Sequence, residues 1–274
     1  MDSIDALILG IVQGLAEYLP ISSSGHLAIC RDILGINIEG AEALEFDIAL
    51  HVATVLSTIV VLWREFVPLC RSFFTAKNDD NTRYVLKLLL SAVPVAIVGF
   101  CFKDDVERIF GSGLTIVGIC LIVTAGLLTF AYFYNHRPDN YTPDHRLREH
   151  DIRWSDALVI GCAQAVAVLP GLSRSGSTIA TGLILGDRRD RLAQFSFFMV
   201  IIPILGEALL SVKDWLSGEG VTGTIGMMPV AIGFIASFVV GCLACKWMIA
   251  LVKKGKLVWF AVYCALVGIL CLVW

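Results

Sequence analysis

A chain of 274 residues that is 57% hydrophobic, only 16% charged and of formal net charge −3 has too little polar surface to cover a water-soluble core. Its basic residues are scattered among connections rather than gathered on one stretch, which excludes a nucleic-acid surface and leaves no nucleic-acid partner to expect. With a mean hydropathy of +0.79, the remaining class is a membrane-embedded protein.

The first apolar stretch, residues 4–34, is broken at Pro20 and carries a polar run in its middle. Proline lacks the backbone donor a continuing helix needs, so this stretch is expected to enter the membrane and turn back. Continuous apolar runs follow at residues 48–62, 85–102 and 114–134. Each approaches the roughly 20 residues that a helix needs to span hydrocarbon, and lipid leaves the helix as the way to satisfy the backbone. Residues 155–185 repeat the broken design, now at Pro170-Gly171, and runs at 195–212, 227–252 and 257–274 close the chain. The expected fold is an all-α polytopic membrane protein, a single integral membrane domain over 1–274. It has six transmembrane helices plus two re-entrant helix hairpins.

Lys and Arg gather at alternate connections: Arg64, Arg71, Lys77 and Arg83, then Arg137, Arg146, Arg148 and Arg153, then Arg188, Arg189 and Arg191, then Lys253, Lys254 and Lys256. The positive-inside rule places these in the cytoplasm, whereas Arg31, Lys103, Arg108 and Lys213 lie on the sparser side. The two hairpins then enter from opposite faces. The N-terminus has no basic region or small-residue cleavage site, so no cleavable signal peptide is expected. Nine cysteines lie mostly in apolar stretches, and Cys242-x-x-Cys245 has no second pair nearby; packing, not zinc or redox chemistry, is expected of them. Trp63, Trp154, Trp215 and Trp259 fall near span ends, where they anchor at the interface. His136, His145 and His150 are expected to be solvated in the central loop.

The hairpins superpose at an offset of 151 residues, which aligns Gly10, Gln13, Ala16, Ser22, Ser24 and Gly25 with Gly161, Gln164, Ala167, Ser173, Ser175 and Gly176. Three runs follow each hairpin, an odd number, so the halves (about 1–134 and 155–274, joined by a cytoplasmic loop at 135–154) are expected to be inverted. Such repeats place a site near their pseudo-two-fold axis. Chance alignment of small residues in two apolar stretches is the competing explanation.

The first hairpin reads Gln13-Gly14-Leu15-Ala16-Glu17-Tyr18-Leu19-Pro20-Ile21-Ser22-Ser23-Ser24-Gly25-His26. Gln13 and Glu17 share a helix face, and a carboxylate in hydrocarbon is costly enough to mark function. A turn of serines can offer hydroxyls and backbone N–H groups to an anion, with His26 available for proton transfer. The second hairpin supplies Ser173-Arg174-Ser175-Gly176-Ser177-Thr178. Arg174 is a fixed fork of donors suited to phosphate oxygens, and at its depth it needs an anionic partner from Glu17, a ligand or both. Together these groups fit phosphoryl transfer from a lipid-borne phosphate.

The run Gln13-x-x-x-Glu17 with Ser22-Ser23-x-Gly25-His26, and Pro170-Gly171-x-Ser173-Arg174-Ser175-Gly176-x-Thr178, resemble the signatures of the bacterial undecaprenyl-diphosphate phosphatase family, the bacitracin-resistance type. The likeness continues in Phe46-Asp47, Pro94, Phe195-Ser196-Phe197 and Pro203. The resemblance implies removal of the terminal phosphate from the C55 isoprenyl diphosphate carrier, which is reused in cell-wall synthesis. It also implies a multi-pass protein of the bacterial inner membrane with its site opening to the extracytoplasmic side. By position, Ser23 matches the nucleophile, His26 its proton-transfer partner, Glu17 the essential acid and Arg174 the phosphate clamp. Gln13, Ser22, Ser24, Gly25, Ser173, Ser175, Gly176 and Thr178 match the substrate-binding lining. The cofactor implied is a divalent cation, Mg²⁺ or Ca²⁺, held through Glu17. The partners implied are the polyprenyl diphosphate, membrane lipids and, as a candidate, a second copy in a homodimer. The chain departs from the family at Gln13, where many members have glutamate, and at His51, where glutamine is common.

A transporter or flippase for a lipid-linked phosphate is the competing function, since inverted repeats with broken helices suit alternating access. The serine, histidine and carboxylate set exceeds what transport needs. The type-2 phosphatidic-acid phosphatases also carry elements like Ser24-Gly25-His26 and Ser173-Arg174, but Ala180 stands where their nucleophilic histidine would be.

Overall fold

The computed structural model describes residues 1–36, 38, 40–75, 78–102, 109, 113–136, 149–217, 225–255 and 257–274. Of the residues read from the sequence, Lys77, Lys103, Arg108, Arg137, His145, Arg146, Arg148 and Lys256 lie outside these. Among the described residues the regular structure is all helix, apart from one isolated bridge between His150 and Asp187.

Helix α1 (Ser3–Ala16) starts at Asp2, whose side chain accepts from the N–H groups of Ile4 and Asp5. It closes at Glu17, three residues ahead of Pro20. Helix α2 (Ser23–Leu34) starts on the Ser22 cap and ends at Gly35 in the left-handed conformation. Then come α3 (Gly40–Val61), α4 (Trp63–Phe74), α5 (Asp80–Cys101) and α6 (Leu114–Asn135). The second half holds α7 (Trp154–Val166), α8 (Arg174–Leu185), α9 (Arg189–Met199), α10 (Ile201–Leu216), α11 (Met227–Lys253) and α12 (Val258–Val273).

Among the described residues five segments are long and apolar enough to cross a membrane: Glu42–Val61, Asp80–Cys101, Leu114–Asn135, Arg189–Lys213 and Met227–Lys253. Side chains such as Ile97, Phe100, Val123 and Leu243 stand exposed along them, as lipid-facing residues do. The sixth expected span, α12, has 16 helical residues; at 1.5 Å per residue this is about 24 Å, short of a hydrocarbon core of about 30 Å. Two departures from the sequence reading have local causes. The stretch read as a basic connection around Arg64 and Arg71 folds as α4, a short amphipathic helix that buries Leu69. The fourth span is broken at Val200, because the ring of Pro203 opposes the carbonyl of Met199 four residues back. The four span-end tryptophans are all exposed.

Long-range packing joins the halves crosswise. Helix α1 lies along α11, α7 along α5, and α6 along α12. Close approach is made by glycine: a Cβ on Gly10 would stand 2.4 Å from the Gly233 carbonyl, and one on Gly161 would stand 2.4 Å from the Ser91 carbonyl. These obstacles are backbone atoms, which cannot swing aside. Without a hydrophobic driving force in lipid, such backbone contact is a main source of helix association. Gly10→Ala and Gly161→Ala are each expected to cost about 1–3 kcal/mol through forced separation of the helices. Gly126→Ala, which meets open space, should be neutral or slightly stabilising. Thermal unfolding in detergent measures all three; equal melting temperatures would refute the close-packing account.

Candidate active site

The site forms where the two broken stretches meet. In the first, Ser22 bends the chain with φ 72 and ψ 102, an uncommon conformation for a residue with a side chain. Its hydroxyl accepts from the Gly25 N–H at 3.3 Å, and its carbonyl accepts from the His26 N–H at 3.2 Å. In the second, Ser173 caps α8 the same way, taking the Gly176 N–H at 3.0 Å and the Ser177 N–H at 2.8 Å. The hydroxyl pairs Ser22–Ser24 and Ser173–Ser175 both stand at 3.4 Å. Here the left-handed residue is Gly171, φ 88, where a Cβ would meet the Val117 carbonyl at 2.5 Å. The prolines therefore miss register because the two bends put their left-handed residue at different places.

Glu17 is the centre. It is only 6% exposed, and one carboxylate oxygen pairs with the Arg174 guanidinium from the opposite turn. The other accepts from the Ser23 hydroxyl at 2.8 Å and from the Gln13 amide at 3.0 Å, with His51 Nε2 at 3.7 Å. The expected partnership of Glu17 with Arg174 is thus a direct ion pair joining the halves. Ser175 adds a second tie, donating to the Leu19 carbonyl at 2.9 Å, and Gly25 packs against Gly171. Thr178 turns away from the pair: its hydroxyl meets Ser196 at 2.7 Å and donates to the Arg174 carbonyl at 2.9 Å. A small hollow beside the ion pair is lined by Glu17, Thr54, Thr58, Arg174 and Ser196.

His26 is not hydrogen-bonded to Ser23. Its Nδ1 meets the Ser22 carbonyl at 2.8 Å and its Nε2 the Tyr263 hydroxyl at 2.8 Å, with the two rings stacked. The Ser23 hydroxyl donates instead to Glu17. Sequence reasoning missed Tyr263, which carries no local signal in an apolar run, and left His51 without a role. It also missed Tyr18, whose hydroxyl reaches the Thr54 carbonyl and Ser57 Oγ at 2.6 Å and Thr58 Oγ1 at 2.9 Å, tethering the first turn to α3. Arg31 and Asp47 form a further ion pair between α2 and α3.

For the divalent cation, the donor chemistry fits. Gln13, whose amide nitrogen donates to Glu17, keeps its Oε1 buried and without a partner among the described residues; with the Glu17 carboxylate and the Ser23 hydroxyl this makes an all-oxygen donor set of the kind hard cations take.

The fold and the site together define a polytopic helical membrane protein with a buried carboxylate–arginine–serine centre. The family model described as bacitracin resistance protein BacA matches residues 6–270. The chain is 56% identical over 273 residues to the undecaprenyl-diphosphatase of Bacteroides fragilis, covering 100% of this chain and 98% of the relative. It is 56% identical to the undecaprenyl-diphosphatase of Parabacteroides distasonis (98% and 97% covered) and 37% identical to that of Carboxydothermus hydrogenoformans (100% and 97%). The chain belongs to the bacitracin resistance protein BacA family.

Truncating one member of a buried ion pair strands the other, at a cost of about 3–5 kcal/mol. Glu17→Ala and Arg174→Ala should each lower the melting temperature, and the double variant should lose less than their sum. Additive losses in that thermodynamic cycle would mean the two side chains are not coupled.

Proposed function

We propose that this chain is an undecaprenyl-diphosphatase, cleaving undecaprenyl diphosphate into undecaprenyl phosphate and inorganic phosphate at the Glu17–Arg174 centre. The observation that carries this reading is the Ser23 hydroxyl donating to a carboxylate whose other oxygen holds Arg174, at the N-termini of two facing helices. Such ends favour anions, and Arg174 adds a full charge for phosphate oxygens.

The chemistry runs in two displacements. Ser23 Oγ attacks the terminal phosphorus as its proton passes to Glu17, and the bond to the bridging oxygen breaks. The proton then goes to the departing lipid phosphate. Water next attacks the phosphoserine, returning a proton to Ser23 Oγ and releasing inorganic phosphate. His26, held between the Ser22 carbonyl and the Tyr263 hydroxyl, is placed one helical turn beyond Ser23 to relay the water's proton. Arg174 binds phosphoryl oxygens through both displacements. A divalent cation, Mg²⁺ or Ca²⁺, would be held by Glu17 and Gln13 Oε1, and when bound supplies charge neutralisation to the diphosphate.

The finer topology belongs to the same reading. Residues 4–34 and 155–185 are re-entrant hairpins of two inverted halves, with six crossings in all and the site opening to the extracytoplasmic face of the bacterial inner membrane. Recovery of the lipid carrier there serves cell-wall synthesis and bears on bacitracin resistance.

Phosphate release from undecaprenyl diphosphate by the purified protein in detergent tests the reading. Ser23→Ala and Arg174→Ala are expected to lower kcat by about a thousandfold or more while staying folded. Chelation should stop the wild type, and returned Mg²⁺ or Ca²⁺ should restore it. Undiminished turnover by Ser23→Ala would remove the serine from the mechanism; turnover under chelation would remove the cation.

A further inference from the structure

Away from the catalytic centre, three side chains converge where the central connection rejoins the second half. His150 ends that connection, Asp156 lies in the first turn of α7, and Asp187 sits in the corner between α8 and α9. Backbone bonds set the frame: the His150 N–H donates to the Gly186 carbonyl at 3.0 Å and the Arg188 N–H to the His150 carbonyl at 2.9 Å. One ligand atom from each of the three lies within 4.8 Å of the others. His150 Nδ1 stands 3.5 Å from Asp187 Oδ1 and 3.8 Å from Asp156 Oδ2.

Asp187 makes the cluster more than a group of acids. Its side chain is fully buried and aimed at His150, yet among the described residues neither carboxylate oxygen has a hydrogen-bond donor. A buried carboxylate without a donor is costly. Arg188 and Arg189 face other carboxylates, Arg188 meeting Asp190 and Asp151 and Arg189 meeting Glu149, while Arg153 is near enough to offset part of the Asp187 charge. Asp156 is held in place by the Arg153 N–H at 2.8 Å and the Ser155 hydroxyl at 3.1 Å.

The imidazole is oriented for ligation. Nε2 meets the Leu185 carbonyl at 3.0 Å, and a proton held there leaves the Nδ1 lone pair facing the two carboxylates. A cation about 2.1 Å from each donor would set them about 3–3.5 Å apart, a small contraction from the 3.5 and 3.8 Å between His150 Nδ1 and the two carboxylates. One imidazole nitrogen and two carboxylates form a mixed set suited to first-row divalent ions.

We propose that His150, Asp156 and Asp187 form a second, structural site for a divalent transition-metal ion of the Mn²⁺ or Zn²⁺ class, clamping the central connection to the α8–α9 corner. The surplus negative charge that the ion would answer also shows in Asp187 itself, whose carboxyl is pushed up to about 7 by burial and by the Asp156 carboxylate beside it. The competing occupant is a proton, because Nδ1 also lies 3.1 Å from the Asp151 carbonyl and can donate there instead.

Mn²⁺ is the probe, since nine cysteines make Zn²⁺ prone to other binding. The full chain in detergent is stripped with chelator and titrated while free Mn²⁺ is followed by electron paramagnetic resonance. Glu17→Gln, which disables the proposed catalytic cation site, should still bind one equivalent. Adding Asp187→Asn or His150→Gln to it should weaken that binding by about tenfold or more. Mn²⁺ should raise the melting temperature of Glu17→Gln but not of Glu17→Gln with Asp187→Asn. Asp187→Asn removes a buried charge without changing shape, so it is expected to fold, and alone it should retain cation-dependent phosphate release. If Glu17→Gln binds no Mn²⁺, or the added substitutions leave its affinity unchanged, the site is a protonated His150 between two carboxylates and the proposal falls.

Discussion

The centre of this protein depends on one buried ion pair, Glu17 with Arg174. The two side chains come from halves of the chain 157 residues apart in sequence, and both are largely withdrawn from solvent. Neither charge is tolerable there alone. The pair therefore fixes how the two turns face each other, and everything polar nearby is arranged around it. Gln13 and Ser23 donate to the carboxylate, and Ser175 locks the second turn onto the Leu19 carbonyl of the first. An ion pair of this kind contributes little net stability over an apolar substitute, so its presence points to chemistry.

Around that pair the two turns share a backbone plan and differ in side chains. Ser22 and Ser173 make matching cap bonds, and the glycines Gly10 and Gly161 make matching backbone approaches to the opposite half. At the same offset Ser23 corresponds to Arg174, Glu17 to Val168 and His26 to Ser177. In the proposed mechanism one turn holds the reactive groups and the other the clamp. Gln164 retains the place of Gln13 without a carboxylate to serve, and both its amide atoms are buried without partners. The matching backbone explains how two helix starts can face one another; the divergence leaves the serine–carboxylate pair on only one of them.

Much of this was legible in the sequence because it depends on short-range spacing. A spacing of four from Gln13 to Glu17 puts them on one face. Arg174 announced its need for an anion by being charged in an apolar stretch. What was hidden came from distant chain or from competition between neighbours. Tyr263 reaches His26 across 237 residues of sequence, and no periodicity in an apolar run singles it out. The hydrogen-bond partner of Ser23 was also hidden, since Glu17 and His26 are both near in sequence and the bend at Ser22 turns the hydroxyl to Glu17. Helix α4 was concealed by its charges, whose apolar face became visible only against the core.

Charge accounting supports the proposal of a cation in the site. Glu17 cancels Arg174, so the side chains of the centre are together close to neutral. A diphosphate monoester brings about two to three negative charges at neutral pH. Two helix N-termini, each worth about half a positive charge, offset only part of that. The remainder has to be met in a water-poor environment, where an uncompensated anion is expensive. Gln13 bears on the same balance. A glutamate there would add a second negative charge beside Glu17 and bind a divalent ion more tightly. The neutral amide instead donates one hydrogen bond to Glu17 and leaves its oxygen free. A cation held by one carboxylate and one amide oxygen is bound loosely by the protein alone and more firmly once diphosphate oxygens complete its shell. Substrate and cation would therefore enter and leave this centre together.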